Sequence, residues 1–387
     1  MDLRQLRTLA FDFFKKGNFI TAVSLQEKIC RHKSCTYNDL KVLALFVVTS
    51  ENYQKGLAVF DRINQQFPNH NDPEIPETQG LCHMRLKQYQ DAVAPFEKAC
   101  TLAPKKANTH DGLSELYYLL GKDDKSIEHG KKSLILKDLE NDTPPLLKLK
   151  DIPIPPFNPK NKKRNVIAFS LWGQMDIYTK GALFNVQVCK LIYPEWTCRF
   201  YVDTSVPTEI IDQLKNLGAE IIMMDKPSQP YAGLFWRFQV CNDEHVDRYL
   251  IRDADSLPNK RERAAVDDWL ASHRHFHAMR DYATHTELIL AGMWGGVRGA
   301  LPPLVDMIKS FINQTKPNRT IDQQFLRSKV WPTFKTSCLI HDSRHRLENT
   351  VDFPAGTELD GNKHVAQRFD AQLNPQQANK GRQPSAS

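Results

Sequence analysis

The chain has 387 residues, enough for two or three domains, and its 41% hydrophobic and 25% charged content is ordinary for a globular protein. No apolar run reaches the roughly 18 residues of a membrane span, since "VLALFVV" (42–48) and "LILAGMWGGV" (288–297) are too short, so no transmembrane segment is expected. A formal net charge of +7 is mild for this size and favours anionic ligands only weakly, which leaves nucleic acid out of the expected partners.

The eight cysteines are scattered, with no C-x-x-C pair, so zinc-ribbon and thioredoxin readings have no support. The N-terminal segment lacks the long apolar core of a secretory signal. Together these features make the cytoplasm the expected location.

Residues 1–142 read as helices, with apolar residues recurring at three- and four-residue spacing, as in "YQDAVAPFEKACTLAP" (89–104). Gly80, Ala92, Phe96, Ala99 and Pro104 form a spaced set, and Phe60 and Pro68 precede Phe96 and Pro104 by one period. Leu113, Tyr117 and Gly121 continue the pattern, and Gly17 and Ala22 begin a weaker one. This series resembles the tetratricopeptide repeat. The resemblance implies stacked helix pairs, close approach at the small residues, and a surface for a protein partner or a homodimer.

Prolines from Pro144 to Pro159, followed by "KNKKRN", break any helix and predict a solvated Pro/Lys-rich linker over 143–164. From residue 165 the period changes. "NVIAFSLW", "TCRFYVDTSVP", "EIIMMDK" and "DRYLIRDADS" read as strands, alternating with helices at "TKGALFNVQVCKLIYP", "PTEIIDQLKNLGAE" and "LFWRFQVCND". That alternation predicts an α/β domain over 165–370 with a mostly parallel, Rossmann-like sheet. The polar tail 371–387 is expected to be disordered.

In such sheets ligands bind beyond the carboxyl ends of the strands, and Asp253 and Asp255 fall at the end of the fourth one. Two carboxylates two residues apart suit Mn²⁺ or Mg²⁺, which complete their coordination with substrate phosphates. A surface turn is the plain alternative. With "RDADS" (252–256), "ELILAGMWGG" (287–296), "TIDQQFL" (320–326) and "SCLIHDS" (337–343), this half of the chain resembles a GT-A-fold glycosyltransferase of the D-x-D type.

The resemblance implies a nucleotide-sugar donor, UDP- or GDP-linked, and a glycan, glycolipid or protein acceptor. Asp253, Asp255 and His341 would hold the metal. Arg237, Arg252, Asp253, Arg280, Gly292 and Gly295 would contact the donor. Asp322, Gln323 and Asp281 would serve the reaction. Ala291 and Gln324 depart from the pattern of retaining members, so stereochemistry stays open, with Asp322 or Asp281 as the base of an inverting enzyme.

Three of these residues have a structural alternative: a core histidine at His341, an ion pair at Arg237, helix-start polarity at Gln323. The histidines of "HRHFH" (273–277) are expected on an exposed strand edge, and Trp269 and Trp294 in the core. The rival readings of the whole are an inactive repeat-based scaffold and a nucleotide-sugar hydrolase or nucleotidyltransferase.

Overall fold

A computed structural model describes residues 2–227, 229–361 and 363–369, so the tail 371–387 lies outside the described residues. The chain divides into two compact units, Met1–Leu136 and Lys137–Ser387.

The first unit is a run of helices: α1 (Leu3–Lys15), α2 (Phe19–Arg31), α3 (Tyr37–Thr49), α4 (Tyr53–Gln66), α5 (Glu74–Arg85), α6 (Tyr89–Leu102), α7 (Ala107–Leu119) and the start of α8 (Asp123–Glu140). Each of α1 to α6 packs on the helix that follows it, as a stacked repeat requires. Capping boxes at Asp2/Gln5 and Thr36/Asp39 satisfy the first turns of α1 and α3. Gly56, Phe60 and Ile63 hold the positions in α4 that Ala92, Phe96 and Ala99 hold in α6, and all six are buried. The Phe96 ring lies between two glycines. A Cβ added at Gly80 would fall 2.5 Å from the ring, and one at Gly112 would fall 2.6 Å from it.

The second unit contains a seven-stranded mixed sheet. Its strands are β1 (Asn165–Leu171), β2 (Thr197–Val202), β3 (Glu220–Met223), β4 (Arg248–Ile251), β5 (Phe276–Arg280), β6 (Trp294–Val297) and β7 (Cys338–Asp342), in the order β3-β2-β1-β4-β6-β5-β7. Only β6 runs antiparallel to its neighbours. No helix lies between β5 and β6, so the chain turns back directly instead of crossing over. Helices α9 (Asp176–Ile192), α10 (Thr208–Asn216) and α11 (Lys260–Ala271) make the crossovers, with α12 (Leu304–Gln314), α13 (Ile321–Phe325) and α14 (Trp331–Phe334) before β7. β1 is buried along its whole length, as a central strand covered on both faces must be. "LFWRFQVCND" forms a 3₁₀ helix over Ala232–Asn242, entered through Tyr231 at φ 64°.

Two expectations are corrected. The division between units falls near Leu136, inside α8, and 143–164 is not a free linker. Leu149 is buried, Phe157 stacks on Trp196, and the carbonyls of Ile152 and Pro155 accept from His275 Nε2 (2.9 Å) and the Arg248 guanidinium (2.5 Å). The histidines of 273–277 do not line an exposed edge: β5 lies between β6 and β7, which buries His275 and His277. Trp269 and Trp294 are core residues, as expected. No helix among the described residues is long and apolar enough to cross a membrane.

The Phe96 wedge carries a prediction. Gly80→Ala is expected to destabilise the helical unit by about 1–3 kcal/mol through overpacking, measured as a lower urea midpoint, and Phe96→Leu in the same chain should recover part of the loss.

Candidate active site at the carboxyl edge of the sheet

Because β1, β4, β5 and β7 are parallel, their carboxyl ends share one edge of the sheet, and the turn after β4 carries Asp253 and Asp255 there. The turn is held from several sides. From α9, Gly181 approaches so closely that a Cβ would lie 2.3 Å from the Ala254 carbonyl oxygen, and Asn185 Nδ2 donates to that same oxygen at 3.1 Å. Gly292, in the loop before β6, leaves the space that the Asp253 carboxylate fills: a Cβ there would be 2.0 Å from Asp253 Oδ2. The Phe369 N–H donates to the Asp255 carbonyl at 2.8 Å, and Arg368 forms a β-bridge to Ser256.

Arg237, from the 3₁₀ helix and only 3% exposed, joins the pieces. Its Nη1 donates to the Arg252 carbonyl (2.9 Å) and to Asp253 Oδ1, and its Nη2 donates to Asp322 Oδ2 at 3.0 Å. Asp322 lies in the first turn of α13, so one guanidinium ties that helix to the end of β4. Gln323 is half-buried beside it.

Burial dominates the electrostatics. It pushes the Asp255 carboxyl up to about 6, with the negative charge of Asp253 adding to the effect. It pushes Asp322 up to about 6 as well, against the Arg237 charge and reinforced by Asp253. Arg368 acts on Asp255 in the opposite direction, and Arg319 and Arg368 both act on Tyr178. Tyr178, Arg319 and Arg368 carry no signal in the sequence, where nothing in spacing or composition separates the two arginines from other surface arginines.

Several expected site residues are placed elsewhere. His341 is completely buried on β7, three strands from β4, and its Nε2 faces Asp268 Oδ2 at 3.0 Å; it does not join the aspartate pair. Arg252 turns into the interior, where Nε meets Glu262 at 2.7 Å and Nη1 meets the Trp294 carbonyl at 3.0 Å, so it is a core ion pair and not a phosphate contact. Arg280 is likewise buried, bonded to Asp342 (3.0 Å) and to the Leu288 carbonyl (3.0 Å). Gly295 lies inside the sheet, where a Cβ would strike the Tyr249 carbonyl of β4 at 2.6 Å; it serves strand pairing and does not line the edge. Asp281 follows β5 and is paired with Arg261 at 3.1 Å; burial pushes its carboxyl up to about 6.

The donor set at the turn is therefore two carboxylates. Asp253 remains 39% exposed at its side chain, and Asp255 is destabilised in its ionised form by burial and by its neighbour. Two hard oxygen donors of this kind fit Mg²⁺ or Mn²⁺, with phosphate oxygens and water completing the shell. Asp253 and Asp255 would hold it.

No protein-family model matches the chain, and no curated protein does. Among solved structures, MamA 41-end from Desulfovibrio magneticus RS-1 is 22% identical, covering 35% of this chain and 75% of that one at a TM-score of 0.33. A crystal structure of MamA is 15% identical, covering 36% and 80% at a TM-score of 0.34. The helical repeats rest on the helix pairs and the Phe96 packing described above.

The raised carboxyls set a pH dependence. Folded Asp255 and Asp322 bind protons more readily than the unfolded carboxyl near 3.9, so the stability they contribute is fully present below about pH 4 and is lost as pH rises through 6. The melting temperature of the ion-free chain is expected to fall between pH 5 and pH 7, and Asp255→Asn to melt higher than wild type at pH 7 with a shallower slope, read by scanning calorimetry.

Proposed function

We propose that the second unit is a metal-dependent glycosyltransferase of the GT-A type. It would take a sugar from a UDP- or GDP-linked donor and pass it to a glycan, lipid or protein acceptor. The observation that carries this reading is the braced aspartate pair at the carboxyl end of β4, with Gly292 shaped around Asp253 and Arg237 binding both Asp253 and Asp322. A surface turn has no need of a carboxylate fitted into a glycine recess and fixed by a buried guanidinium.

A divalent cation at this pair would neutralise the diphosphate leaving group. The chain's own residues do the rest of the positioning. Asp253 is oriented by Arg237, which leaves its Oδ2 in the Gly292 recess. Asp322 shares that guanidinium and is 3% exposed, so its part is to fix Arg237 and the start of α13. Arg319 and Arg368 bring positive charge to the edge where an anionic donor would lie. The helical repeats would recruit the acceptor or a protein partner, or support a homodimer.

The test is calorimetry of UDP and GDP with and without Mn²⁺. One nucleotide is expected to bind at micromolar affinity only with the ion, and Asp255→Ala to lose it. Metal-dependent binding is expected to weaken as pH falls below about 6, where protons compete for Asp255. Gly292→Ala is expected to weaken metal-dependent nucleotide binding at least tenfold while the chain stays folded. Absence of nucleotide binding under every condition would return the repeats to first place as the working part. Product analysis then separates a new glycoside from free sugar, and so transfer from hydrolysis.

A further inference from the structure

A second group of metal-competent side chains lies at the same edge. Asp281, His285 and His364 bring one carboxylate oxygen and two imidazole nitrogens to within 4.8 Å of one another. Asp281 and His285 belong to the turn after β5, and the backbone N–H of Asp281 donates to His285 Nδ1 at 3.2 Å, a bond the ion would displace because a neutral imidazole has one lone pair. His364 comes from the far end of the chain and stacks on Tyr282 with ring centroids 4.0 Å apart. Its Nδ1 lies 2.6 Å from the Val365 carbonyl oxygen, so Nδ1 carries the proton and the lone pair sits on Nε2.

The surroundings orient the carboxylate. The Val365 N–H donates to both Asp281 oxygens (3.1 and 3.3 Å), and Arg261 Nε donates to Oδ2 at 3.1 Å. Asp281 Oδ1 lies 3.6 Å from His285 Nδ1. Arg261 has independent anchors in Ser343 Oγ (2.8 Å) and the Phe353 ring (3.9 Å), so it can yield the carboxylate without being stranded. Outer-shell bonds of this kind hold the ligands of metal centres in place.

We propose that Asp281, His285 and His364 bind a divalent transition-metal ion of the zinc class, at a site separate from the aspartate pair after β4. Two neutral imidazoles and one carboxylate prefer Zn²⁺ and its neighbours over Mg²⁺ or Ca²⁺. Three protein donors leave a fourth position for water or a ligand. The ion would fasten residues 364 and 365 to the end of β5. Since Phe369 is bonded to the Asp255 carbonyl, the same short strap reaches from this site to the aspartate turn, and the ion would fix the strap against both.

The experiment titrates Zn²⁺ into the chelator-treated full chain by calorimetry. Four proteins are compared: wild type, His285→Ala, His364→Gln, and the double variant Asp253→Asn/Asp255→Asn. One equivalent is expected in wild type and in the double variant, with affinity at least tenfold weaker in each histidine variant. Co²⁺ substitution should give visible bands that His364→Gln removes. If His285→Ala fails to fold, the half-exposed His364 decides the matter alone. A wild type that binds no Zn²⁺, or a bound ion whose affinity is unchanged in His364→Gln, would overturn the proposal, leaving a plain Asp–His hydrogen-bond network. Because the double variant keeps this site, failure here and failure of nucleotide binding are read separately.

Discussion

One buried guanidinium organises the edge of the sheet. Arg237 reaches the carbonyl of Arg252 and the carboxylates of Asp253 and Asp322, and so links a 3₁₀ helix, the end of β4 and the start of α13. Burying a cation is tolerable only when its partners are charged and well placed. The arrangement is reciprocal: without Arg237, Asp253 and the buried Asp322 would face each other uncompensated, a situation that typically costs about 3–5 kcal/mol. The left-handed Tyr231 at the start of the 3₁₀ helix and the tight contact of Gly181 with the turn are the backbone terms of the same constraint.

Much of this was legible in the sequence, for physical reasons. Apolar runs of strand length ending in Asp253 and Asp255 announce both the strand and its ligand-facing end, because the change from buried to charged residues marks where the sheet stops. Spacing also placed Ala92, Phe96 and Ala99 on one buried helix face. The direction a charged side chain takes at a strand end was not legible. Arg252 and Arg280 read like donor contacts, yet both turn inward to buried acids, Glu262 and Asp342, whose positions depend on tertiary packing. His341 sits in an apolar run that reads equally as ligand or core, and its partner Asp268 lies 73 residues away in sequence. Gly292 read as room for a sugar, and the room is taken by Asp253.

The stretch 143–164 shows the same limit. Prolines exclude a helix, but they do not make a segment free. Extended chain with open carbonyls can dock on a folded unit, and Ile152 and Pro155 do so by accepting from His275 and Arg248. The arrangement satisfies part of the hydrogen-bonding capacity of two buried side chains, one in β4 and one just before β5.

The Phe96 wedge bears on how such an array can be rebuilt. Its ring belongs to α6, one glycine to α5 and the other to α7. A recombination breakpoint drawn between α6 and α7, where a repeat formally ends, separates the ring from one of the two recesses made for it. Grafted modules would therefore have to carry the three residues together, and the natural unit of exchange in this array is longer than one helix pair.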